Sequence, residues 1–498
     1  MHHTRRRTLG EIAARAGRIQ LFDSRGLEED ARRDLRRIIY AMLFGQINLL
    51  ITTGIAWTGF LREVLRADDF LLGLIAAAPV AANTLQILIA YWMQRYQKRR
   101  FFMLFFGLLS RFFWIPIALV PYLIPSHGAR VALVSAFVVA VAVGNSFVSL
   151  SFASLMADIV PMRIRGRYFA SRQAISLVAG LLGALAASFL VDRLGKAGYT
   201  AALCVAGVAG MVDIAFFFRV KFPPMGGQEG GGARGILSSL REVLADRSFM
   251  RVVLCFTCWA FTVNLPAPFF NVYMLEHLRM SYTQITLAGQ IASNAATVLV
   301  LSRWGMPLDR FGNKAVLQIC SRVCMCIPFL WMLTAPGTVW LVPILYILSG
   351  VFWPPIDLAQ QNFYLGAAPG RDRAMHVAVF FAVFNLFGVA LGNALGGLLV
   401  HSVFSAAQAN LAVMRRVGWT KYHLIFLLSS LLRICVAFGL FPLLREENAA
   451  PYGEALRTMG REWCAGRVRW AMAVRASILR RRYRRRRGGD QGQENSHK

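Results

Sequence analysis

The sequence predicts an all-α integral membrane protein with twelve transmembrane helices in two pseudo-symmetric six-helix bundles. Three observations predict it. Of the 498 residues, 56% are hydrophobic, gathered in runs of about twenty, the length that spans a bilayer's ~30 Å hydrocarbon core as a helix. The polar segments between them are too short to form strands, and inside lipid an open sheet could not satisfy its backbone. Finally, the second half of the chain repeats the pattern of the first.

A charged segment, residues 1–37, precedes the first run. Runs one to six occupy 38–59, 70–92, 101–123, 131–156, 171–191 and 199–219, within a first bundle at 38–220. Charge or turn chemistry separates them: LREVLRADD, QRYQKRR, the proline and glycine of IPSHGAR, PMRIRGR and the glycines of LGKAG. Residues 221–248 form a linker that opens on KFPPMGGQEGGGARG, a flexible composition. Runs seven to twelve follow at 249–274, 283–302, 314–335, 338–362, 375–400 and 421–444, within a second bundle at 249–445. They are divided by EHLRMSY, GMPLDRFGNK, the turn TAPGT, PGRDR and a polar stretch near 405–420. Residues 446–498 form a basic tail.

The chain has 55 Lys and Arg against 25 Asp and Glu, a formal net charge of +30. Their distribution argues against nucleic acid as the partner. They fill both terminal segments and the even-numbered connections, and are sparse in the odd ones, which places both termini in the cytoplasm of a multi-pass cell (inner) membrane protein. The tail, WCAGRVRWAMAVRASILRRRYRRRR, has the composition of a helix lying on the anionic inner leaflet. The Cys255 and Cys258 pair has no partner cluster, so no metal, cofactor or disulfide framework is expected.

The repeat is visible residue by residue. SRFFWIPIAL from Ser110 answers SRVCMCIPFL from Ser321, so Arg111 has a counterpart in Arg322, 211 positions on. PMRIRGRYFA from Pro161 answers PGRDRAMHVA from Pro369, and Gly180 answers Gly388. Two parallel repeats suit a protein that rocks about a central site. P-loop, HExxH and GxSxG motifs are missing from the sequence, which argues against an enzyme.

At GMPLDRFGNK, Gly305 to Lys314, the chain resembles the major facilitator superfamily of secondary transporters, whose loop signature is G-x-x-x-D-R-x-G-x-[KR]. ADIVPMRIRGR is similar to the family's second pattern, with Asp158, Arg165 and Gly166 in place. The copy in the second connection departs from it: Gln94 stands where the aspartate belongs and Ala90 where the first glycine belongs. The resemblance implies that Asp158, Arg165, Gly166, Gly305, Asp309, Arg310, Gly312 and Lys314 form cytoplasmic gating elements, with Asp309 as a latch. It also implies a permease that works by alternating access as a monomer, with a cavity lined by spans 1, 4, 7 and 10.

Those spans carry polar residues: Gln46, Asn48 and Thr53; Asn145 and Ser149; Asn264 and Asn271; Trp353, Asp357 and Gln361. Several pairs lie four or seven apart, on one helix face. Phe269 and Tyr273 are aromatic candidates beside Pro266 and Pro268. Asp357 follows Pro354 and Pro355, which predict a kink that frees carbonyls for a cavity. As an intramembrane carboxylate it is the candidate coupling group, with a structural ion pair as the rival reading. Arg111, Arg322 and Arg433 outnumber the buried acids Asp213 and Asp357, which suits either an anionic substrate or arginines that pin helices. The expected function is proton- or ion-coupled symport of a small organic solute, a sugar or an organic anion. The alternatives are proton-driven efflux of amphipathic compounds and a non-transporting sensor on the same scaffold.

Overall fold

A computed structural model describes residues 29–223, 240–367, 373–410, 412–446 and 449–461. Much of the N-terminal segment, the glycine-rich linker and the arginine-rich end of the tail lie outside the described residues. Within them the chain is helical, with helical segments at all twelve expected positions.

In the first half these are α1 (Glu29–Val64), α2 (Asp69–Leu85, continued by Gln86–Tyr96), α3 (Arg99–Leu123), α4 (His127–Ile159), α5 (Met162–Leu194) and α6 (Lys196–Phe217). In the second half they are α7 (Arg247–Glu276), α8 (Tyr282–Ile285, Thr286–Ile291 and Ala292–Phe311), α9 (Asn313–Trp331), α10 (Leu341–Ala367), α11 (Met375–Asn410) and α12 (Lys421–Leu443). Among the described residues, ten are long and apolar enough to cross a membrane. Asp69–Leu85 of α2 is a shorter apolar helix.

The pairing of helices repeats with a period of six. α1 packs on α5 and α6, α2 on α4, and α3 on α4 and α6; α7 packs on α11 and α12, α8 on α10, and α9 on α10 and α12. The halves meet through α2 against α11 and α5 against α8. Gly73 and Gly397 make the first contact possible, since a Cβ on Gly73 would stand 2.5 Å from the Asn393 carbonyl oxygen and 2.8 Å from the Gly397 Cα.

Proline governs the second half. A proline leaves the carbonyl four residues before it without its helical donor. Pro354 and Pro355 free the carbonyls of Gly350 and Val351, and α8 supplies both donors: Thr297 Oγ1 at 3.1 Å and Trp304 Nε1 at 3.0 Å. Pro266 frees Thr262, which accepts from Ser429 Oγ of α12 at 2.7 Å. Pro328 frees Cys324, which accepts from Arg433 Nη1 at 3.0 Å. The helix α10 therefore runs unbroken from Leu341 to Ala367, where the sequence predicts a broken helix. Its prolines lend their spare acceptors to packing between helices rather than to a cavity.

Candidate functional site

The two halves are joined at the face opposite the termini. Arg62, at the end of α1, donates from Nε to Glu276 of α7 at 2.5 Å and from Nη2 to Asp69 at 2.9 Å and Tyr422 at 3.0 Å. Asp69 also pairs with Lys421, and the Tyr422 hydroxyl donates to Glu276 at 2.8 Å. A second cluster lies where α5 and α6 meet α8. Tyr199 donates to Tyr282 at 2.5 Å, Tyr282 donates to Glu63 at 3.0 Å, and Asp192 accepts from the backbone N–H groups of Tyr282 and Thr283. Ser188 and Thr286 hydroxyls meet at 2.6 Å between the same helices. None of these residues belongs to the sequence's candidate set. They lie at helix ends, where a charged residue reads as ordinary loop chemistry until the fold brings four helices together.

On the termini face the described bonds run within a half. Arg99 pairs with Asp158 at 2.5 Å, and Arg37 donates to the Arg219 carbonyl at 2.6 Å. Among the described residues, the polar bonds that join helix ends of the two halves lie on the face opposite the termini.

Beneath the seal lie two cavities that share Ser293. The first, about 260 Å³, is bounded by Ile55, Asn271, Thr286, Gln290, Asn294 and Tyr346. The second, about 410 Å³ and nearer the termini face, is bounded by Thr297, Ser349, Trp353, Asp357 and Gln361. Four of the expected lining residues, Asn271, Trp353, Asp357 and Gln361, come together here. The α8 residues Gln290, Ser293, Asn294 and Thr297 join them and were missed. Their spacing of three and four residues, one polar face in an apolar helix, was the signal available.

The remaining candidates lie elsewhere. Asn48 is buried and donates to the Ala206 carbonyl of α6 at 2.8 Å. Asn264 donates to Ala260 of its own helix at 2.8 Å, and Thr53 to Leu49 at 2.7 Å. Gln46 packs over Gly180 of α5, and Ser149 is exposed on α4. Phe269 and Tyr273 are wholly buried within the second half, the latter donating to Thr334 at 2.8 Å.

The three arginines have separate duties. Arg111 donates to Asn145 Oδ1 at 2.6 Å and lies 3.9 Å from Asp213 in a buried cluster of α3, α4 and α6. Gly45 and Gly210 make room for it, because a Cβ at either would strike Asp213 or Arg111. Arg322 stacks between Phe438 and Tyr452, 4.6 and 3.7 Å from the ring centres. Arg433 serves the carbonyl freed by Pro328. None of the three lines either cavity. Asp357 makes no ion pair or hydrogen bond with another described residue, and its carboxylate faces the second cavity.

The expected gating elements are placed as follows in the described state. Asp158 pairs with Arg99, while Arg165 donates to the Ala157 and Val160 carbonyls at 2.9 and 3.1 Å, closing the end of α4. Gly166 lies in α5 and Gly305 in α8. Asp309 is exposed, without a hydrogen bond to another described residue, and Arg310 stacks on Phe311 at 5.1 Å. Gly312 takes φ +82°, a conformation that favours glycine, and turns the chain from α8 into α9. The start of α9 is capped instead by Glu446, which accepts from the backbone N–H groups of Asn313 and Lys314 at 3.0 and 2.6 Å. Lys314 Nζ donates to the Pro442 carbonyl at 2.9 Å.

Solved structures share this architecture. The nucleoside transporter NupG superposes with a TM-score of 0.65 at 12% identity, over 83% of this chain and 99% of that one. A bacterial homologue of the human lysosomal transporter Spinster, inward-facing and occupied, gives 0.64 at 15% identity, over 84% and 97%. The xylose transporter XylE from E. coli, inward-open, gives 0.56 at 15% identity, over 83% and 99%. Among curated proteins, none matches the chain in sequence. The family model for the Major Facilitator Superfamily matches residues 38–364. With its repeated helix pairing, paired halves and central cavities, the chain belongs to the major facilitator superfamily, a family of membrane transporters rather than enzymes.

Proposed function

We propose that this secondary transporter moves a small, polar, uncharged organic solute, of sugar or nucleoside size, in symport with protons through Asp357. The termini face is assigned to the cytoplasm of a cell (inner) membrane by its basic residues, so the described state is inward-facing. The observation that carries the reading is the composition of the cavities. Amides, hydroxyls and the rings of Trp353 and Tyr346 line them around the carboxylate of Asp357, and the arginines are engaged elsewhere. Hydroxyl-rich or amide-bearing solutes match such walls, and the flat rings offer stacking surfaces. An organic anion would meet Asp357 without a described cation beside it, which favours the neutral half of the sequence's expectation.

Coupling follows from the cost of burying charge. While the cavity is open, water solvates the Asp357 carboxylate. Closing the halves over it as an anion would cost several kcal/mol. A proton removes that penalty, so the loaded, protonated form is the one that can close and turn. The test uses proteoliposomes with an imposed pH gradient and three radiolabelled probes: xylose, uridine and lactate. The wild type accumulates xylose or uridine, whereas Asp357→Asn exchanges the same solute without concentrating it. Accumulation of lactate alone overturns the neutral substrate, and full accumulation by Asp357→Asn removes Asp357 from coupling.

A further inference from the structure

The first half carries a groove apart from the two central cavities. It runs between α3 and the end of α6, has a volume of about 630 Å³, and is walled by Phe101, Leu104, Phe105, Leu108 and Phe218. The four α3 residues follow a three- and four-residue spacing and form one outward stripe. Phe101, Phe105 and Phe218 are each about half exposed (53, 49 and 48%), so the groove is open to the surroundings. At its mouth, on the termini face, stand Lys98 and Arg100. Arg100 is held there by its Nη2 bond to the Phe218 carbonyl at 2.9 Å and by the Phe222 ring 5.9 Å away. Both cations are exposed, and neither forms an ion pair with a described carboxylate.

We infer that this groove binds an anionic phospholipid, with one acyl chain against the phenylalanine stripe and the phosphate between Lys98 and Arg100. Charge complementarity selects that occupant. Two cations above an apolar slot match a headgroup carrying net negative charge above a hydrocarbon chain. The stripe from Phe101 to Leu108 descends about 10 Å at 1.5 Å per residue, into the depth where acyl chains begin. The chain's own arginine-rich tail would be repelled by the same two cations.

The repeat supplies an internal contrast. At the register shared by Arg111 and Arg322, Phe105 and Leu108 correspond to Val316 and Ile319, which are buried. There the end of α12 and the segment after it cover α9: Lys314 holds the Pro442 carbonyl, the Ala450 N–H donates to the Phe311 carbonyl, and Tyr452 lies on Arg322. Among the described residues the segment after α6 reaches only the start of α3, where Pro223 accepts from Arg99 and Phe222 lies by Arg100; it leaves the Phe101–Leu108 face open, and a lipid takes its place.

The experiment places a local reporter, Phe105→Trp, in the full-length chain and reconstitutes it with brominated phosphatidylglycerol or brominated phosphatidylcholine at equal mole fraction. The readout is the fluorescence increment over the parent protein, which isolates the groove from the tail. Brominated phosphatidylglycerol is expected to quench that increment several-fold more than brominated phosphatidylcholine. Adding Lys98→Gln and Arg100→Gln should equalise the two, whereas Lys98→Arg with Arg100→Lys should keep the preference. Equal quenching in the reporter protein, or a preference that survives loss of both cations, overturns the assignment.

Discussion

Replacing Arg62 by alanine tests whether the seal opposite the termini sets the conformational equilibrium. The guanidinium carries two bonds between the halves, to Glu276 and Tyr422, and two within its own half, to Asp69 and the Ala67 carbonyl. Only the first two must break when that face opens. The bond to the buried Tyr422 hydroxyl, made by a charged group, is worth about 1.5–2 kcal/mol, and the ion pair with Glu276, which is 39% exposed, is screened to about 0.5–1 kcal/mol. The pair then favours the sealed state by about 2–3 kcal/mol, so Arg62→Ala should raise the population open at that face roughly 30- to 150-fold. Asn271, lining the cavity under the seal, is the reporter position. In Asn271→Cys, the rate of modification by a membrane-impermeant maleimide, read by peptide mass, should rise by that factor when Arg62→Ala is added. Arg62→Lys keeps the charge but loses the planar fork, and should fall between the two. An unchanged modification rate in a protein of unchanged thermal stability would refute the argument, because it would mean the bonds are made equally in both states.

Three further expectations concern packing and charge. Gly73→Val should force α2 away from α11 and cost about 1–3 kcal/mol of the sealed state, measured by the same maleimide assay; normal protection would place the contact outside the seal. Asp213→Asn leaves Arg111 buried beside Asn145 with its charge uncompensated and should destabilise the fold by about 3–5 kcal/mol. Adding Arg111→Gln should restore much of the thermal stability, and additive losses would show that the two groups are uncoupled. Glu446→Ala removes the cap of α9 and should lower stability by about 0.5–2 kcal/mol without altering solute affinity; a changed affinity would tie the cap to the cavity instead.

The candidate site was partly legible in the sequence. Asn271, Trp353, Asp357 and Gln361 were found because polar side chains are costly in lipid and stand out against apolar runs. The same criterion also selected Asn48 and Asn264, which satisfy backbone carbonyls of α6 and α7. A buried amide that bonds a carbonyl and one that faces a cavity present the same letter in the same pattern. The α8 face of Gln290, Ser293, Asn294 and Thr297 has the same polar spacing in the sequence but falls on a span that the resemblance does not assign to the cavity.

The sequence by itself determined the membrane class, the helical runs, the repeat and the family, because each depends on local composition: apolar length sets a span, and register at about 211 residues sets the repeat. Tertiary structure alone decided what the polar and proline residues do. Pro354 and Pro355 predict a break from local chemistry, yet Thr297 and Trp304, more than fifty residues away or nearly so, take up both carbonyls and keep α10 whole. Arg62, Asp69, Glu276 and Tyr422 are ordinary loop-edge residues until four helix ends converge and make them a seal. The physical reason is common to both. A buried polar group must find a partner, and which partner it finds depends on how distant segments are folded together.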